Sequence, residues 1–70
     1  MNYLEIKNIA KDLSEKDINN VIEYWKSNNT ESLNKFTSLV NLWDSKEIAM
    51  ATILVEKQVN ISEYISAYTS

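Results

Sequence analysis

Apolar residues recur along this chain at the period of an α-helix, and no stretch of comparable length alternates at the period of a strand. Ile6, Ile9, Ala10 and Leu13 follow the i, i+3, i+4, i+7 template. So do Ile18, Val21, Ile22 and Trp25, and so do Phe36, Leu39, Val40 and Trp43, with Leu33 one turn earlier. Ile48, Ala51, Thr52 and Val55 fit less cleanly, and Ile61, Ile65 and Tyr68 make a shorter set.

Helix starts are legible beside these stripes. Ser14 can cap the Asp17 N–H, with the Asp17 carboxylate answering and with Leu13 and Ile18 as a hydrophobic staple. The same arrangement is expected for Asp44 and Glu47 with Trp43 and Ile48, and for Asn60 and Glu63 with Val59 and Tyr64. Asn28, Asn29 and Thr30 form a polar break that ends one helix and caps the next. The pattern predicts helices over about 3–12, 15–27, 31–42, 45–58 and 61–69. Connections this short make consecutive helices neighbours. The expected fold class is therefore all-α: a compact bundle of four to five short helices arranged as helical hairpins, in a single domain over residues 1–70. A faint repeat of thirty residues sets Ile6, Ile9, Ala10, Leu13 and Ile18 against Phe36, Leu39, Val40, Trp43 and Ile48. Capping rules alone generate most of that match.

Composition narrows the chemistry. The chain has no Gly, Pro, Cys or His. That excludes phosphate-cradling glycine loops, disulfides, thiolate metal sites, cysteine nucleophiles and the usual general base near neutral pH. Asp12 with Glu15 and Asp44 with Glu47 stand at helical spacing, but each pair sits at or near a helix start, where capping and the helix dipole explain it. No catalytic set can be assembled, and neither metal nor cofactor is expected. Seven Lys, no Arg and ten acids give a net charge of −3, with the acids spread along the chain. Nucleic acid and anionic membrane are disfavoured as partners, because phosphate binding needs clustered cations. Neither a secretion signal nor a membrane span is expected, which suggests a cytoplasmic protein. The richness in Asn, Ile, Lys and Tyr suits an AT-rich bacterial, phage or plasmid genome.

One segment breaks the amphipathic rule. Ile48 to Val55 is uncharged for eight residues, so the fourth helix is apolar on every side. A chain of this size has roughly 4,500 Å² of folded surface against about 11,700 Å² unfolded, and little material with which to enclose a helix. Either the other helices surround this one or a face of it meets another chain. The expectation taken here is a protein contact, as a homodimer, with Met50, Ile53 and Leu54 at the interface and Ala49 and Ala51 allowing close approach. A central core helix in a monomer is the main alternative, and a strand over Thr52 to Val55 a lesser one, because β-branched residues concentrate there. Tyr64 and Tyr68 give the last helix an apolar side that must dock, and Tyr24 lies off its seam, so these three join the expected interface. Trp25 and Trp43 each close an apolar stripe and are expected in the core.

Ile9-Ala10-Lys11-Asp12-Leu13 resembles the opening of a helix-turn-helix. The turn lacks Gly, and the next helix sets Lys16 and Lys26 against Glu15, Asp17 and Glu23, although Asn19 and Asn20 can read adenine. The expected function is a small non-enzymatic protein–protein interaction module, a regulator, adaptor or inhibitor, whose expected partners are a second copy of itself and a host or regulatory protein. The alternatives are a DNA-binding or repressor-associated regulator using residues 3–27, and a structural assembly subunit.

Overall fold

The computed structural model describes residues 3–69. They form five helices: α1 (Tyr3–Lys11), α2 (Glu15–Asn28), α3 (Thr30–Trp43), α4 (Lys46–Glu56) and α5 (Ile61–Thr69). There is no strand among the described residues. Thr52 to Val55 is helical, and the Thr52 hydroxyl donates to the Ile48 carbonyl at 2.7 Å, so a β-branched polar residue is satisfied inside the apolar helix.

The helix starts follow from side-chain caps. The Asp17 N–H donates to Ser14 Oγ, the Ser32 N–H to Asn29 Oδ1 and the Glu63 N–H to Asn60 Oδ1, each at 3.1 Å. At the fourth start the expected cap is displaced by one residue. Asp44 ends α3 in the left-handed region (φ 53, ψ 38), and Ser45, in extended backbone, accepts from the Ile48 N–H at 3.2 Å. A reversal this short leaves no extended residue before Ser45, so Asp44 cannot serve as the N-cap. Its left-handed geometry is one that Asp tolerates better than most residues. Gln58, at φ 56, takes the same region beyond α4, which therefore stops two residues short of the expected boundary. Ser45→Ala should cost on the order of 1 kcal/mol in a denaturant titration. Asp44→Ala should not reproduce that loss through capping, since it removes no N-cap hydrogen bond.

The packing is only partly that of sequential hairpins. α2 packs on α3 and α3 on α4, but α1 makes its main contact with α4, and α5 makes its main contact with α2. Helix α4 is the central element, flanked by α1, α2 and α3. Its Ala49, Met50, Ala51 and Leu54 are fully buried and Ile53 is 2% exposed. The small side chains of Ala49 and Ala51 let neighbouring helices approach, so three short helices are enough to enclose the middle of α4. This enclosure needs no unusual compaction: the radius of gyration is 11.0 Å, and ordinary domain scaling gives about 11 Å for a chain of this length.

Around α4 the core gathers Ile6, Ala10, Leu13, Ile18, Val21, Trp25 and Phe36. Trp25 meets Phe36 edge-on at 6.4 Å between centroids, which locks α2 to α3. No buried side-chain polar atom among the described residues lacks a partner. The thirty-residue match has no structural counterpart in its caps or its ends. Ser14 is an N-cap where Asp44 is a C-cap, and Leu13 is buried where Trp43 is exposed.

Candidate functional site

Burial corrects most of the expected interface. Met50, Ile53 and Leu54 lie inside the core, because α1, α2 and α3 cover α4 within one chain. They offer no surface to a partner. Tyr64 and Tyr68 are half-buried and serve an internal seam. The indole Nε1–H of buried Trp25 donates to the Tyr64 hydroxyl at 3.1 Å. Tyr68 packs against Tyr64 at 5.3 Å and against Tyr24 at 4.6 Å. These contacts fasten α5 to α2, the main support it has. Burial first, then the neighbouring phenols of Tyr64 and Tyr24, pushes the Tyr68 phenol from 10.0 up to about 12. Of the six residues expected at an interface, only Tyr24 is exposed.

The apolar surface lies elsewhere. Tyr3 and Leu4 at the start of α1 are 48% and 63% exposed, and Leu42 and Trp43 at the end of α3 are 71% and 44% exposed. The Tyr3 and Trp43 rings meet at 5.6 Å between centroids, tilted by 34°. Two sequence-adjacent apolar pairs are thereby joined into one patch.

Local sequence explains why it forms. The buried stripe of α1 runs back from Ala10 through Ile6 to Tyr3, and that of α3 runs forward from Phe36 through Val40 to Trp43. Both helices pack on α4. That helix starts with Lys46 and Glu47, which are exposed, and its first apolar side chains, half-buried Ile48 and buried Ala49, pack into the core while Trp43 stays 44% exposed. Trp43 emerges at the surface instead of completing the core as its spacing predicts. Leu4 and Leu42 fall outside the periodic template altogether, and that was the available signal for an exposed pair. Exposed charges of both signs surround the patch: Glu5 and Lys7 on α1, and Asp44, Lys46 and Glu47 beside Trp43.

Among the described residues no group of three or more acidic side chains is arranged to hold a metal ion. No helix among them is long and apolar enough to cross a membrane. Comparison of the chain with protein-family models, curated proteins and solved structures finds no match.

Proposed function

We propose that this chain is a non-enzymatic protein-interaction module of the cytoplasm, a small regulator or adaptor, and that it associates with a second copy of itself through Tyr3, Leu4, Leu42 and Trp43. The observation that carries this reading is that four large apolar side chains stay exposed at one end of a bundle whose core does enclose Met50 and Leu54. The largest apolar patch on a monomer commonly spans about 300–600 Å² and is often functional. Trp and Tyr are the side chains most enriched where interface energy concentrates.

Two features support a second copy as the occupant. The patch can face itself across a two-fold axis, which sets apolar residues against apolar residues. The charges around it are of both signs, so a symmetric approach can bring Lys7 or Lys46 toward Glu5 or Glu47. Area sets the strength. Large side chains carry about 150–250 Å² each, so four that are roughly half exposed supply on the order of 400 Å². A stable interface buries about 800 Å² per partner. The association is therefore weak and concentration-dependent.

Acrylamide quenching tests this directly, because Trp25 is shielded in the core and Trp43 is accessible. Trp43 emission should be quenchable in dilute protein and protected as concentration rises. Quenching that is independent of concentration up to the solubility limit would contradict self-association through this face.

A further inference from the structure

We infer a second contact surface, independent of self-association: the cleft between α1, α2 and α5 receives a cationic amphipathic helical segment of another protein. α1 lies on α4 while α5 leans on α2, and between them a cleft of about 430 Å³ opens.

The lining has a helical pitch. Ile9 and Leu13 come from α1 and the turn after it, Ile61 and Ile65 from α5, and each pair is four residues apart. Ser62 and Ser66 repeat at the same spacing. Apolar side chains one turn apart on a partner helix match such a groove, which is how amphipathic helices dock.

Charge selects the partner. Asp12 and Asp17 line the cleft, and no lysine does. The ion pairs among the described residues are Lys26–Glu23 and Lys35–Glu56, so neither aspartate is neutralised by one. Asp17 contributes its backbone N–H, not its carboxylate, to the Ser14 cap. The complementary segment carries apolar residues at i and i+4 flanked by Lys or Arg. A second copy of this chain, with net charge −3 and no Arg, is a poor occupant, which separates this cleft from the Tyr3–Trp43 face.

The test is an NMR titration of the isotope-labelled full chain with a synthetic Leu/Lys amphipathic helical peptide, beside the same peptide with Glu replacing Lys. The Lys peptide should shift the methyl signals of Ile9, Leu13, Ile61 and Ile65, and the Glu peptide should not. Asp12→Asn with Asp17→Asn should weaken binding about tenfold. Glu23→Gln with Glu31→Gln, which removes the same charge elsewhere, should leave it unchanged. Ser62→Lys, an exposed change that puts a cation in the cleft, should abolish binding with helicity intact, and Trp43→Ala should bind as the wild type does. Shifts confined to the Tyr3–Trp43 face, equal binding of the Glu peptide, equal losses in the two charge-removal variants, or no binding at all would each overturn the inference. So would displacement of the peptide by free spermine acting on the same methyl groups, which would make the cleft a small-cation site.

Discussion

Replacing Leu54 with Glu should unfold the chain. Leu54 is fully buried on the central helix, and truncating such a residue to Ala already costs about 2–5 kcal/mol. A carboxylate in its place adds the cost of burying an unpaired charge. Domains have only about 5–15 kcal/mol of stability in total, and one this small sits toward the lower end. Met50→Glu should behave in the same way, since Met50 is equally enclosed. Far-UV circular dichroism at low temperature is the check: the helical signal should be lost. Retention of the signal in a species of lower mass would instead make α4 an interface.

Trp25→Ala should have the next largest effect, about 3–5 kcal/mol from the lost core volume. The Tyr64 hydroxyl would also lose its indole donor. Because α5 is fastened chiefly to α2, it should loosen before the rest of the bundle. Hydrogen exchange should report lower protection over α5 than over α4. Trp25→Phe keeps the edge-on neighbour of Phe36 but not the donor, so it should fall between the variant and the wild type. Equal protection of α4 and α5 in Trp25→Ala would mean that α5 is held by something other than the Trp25–Tyr64 seam.

What the sequence disclosed follows the range over which its signals act. Helix type and most helix starts are local, set by periodic stripes and by Ser14, Asn29 and Asn60, and these were legible. Asp44 was misread because its role depends on a left-handed reversal, which nothing in the flanking residues announces without a glycine. Helix pairing is non-local. α1 passes over its neighbour to reach α4, and α5 returns to α2, so short connections did not determine contacts. Surface-to-volume scaling does not force α4 to meet another chain. Ala49 and Ala51 reduce the girth of the helix, and three neighbours then suffice to cover it. The exposed patch was missed because Trp43 lies on a perfect stripe that outruns its cover, whereas Leu4 and Leu42, off every stripe, carried the signal.

Helix α4 is an internal core element, and the proposed contact with another copy lies instead at the Tyr3–Trp43 end. Sedimentation equilibrium across a dilution series, on Trp43→Ala and Leu54→Ala beside the wild type, tests it most directly. Trp43→Ala should stay at monomer mass at concentrations where the wild type associates, with its helicity unchanged. Leu54→Ala should lose stability, while whatever fraction stays folded associates like the wild type. A folded Leu54→Ala that is monomeric, beside a Trp43→Ala that associates normally, would contradict the claim.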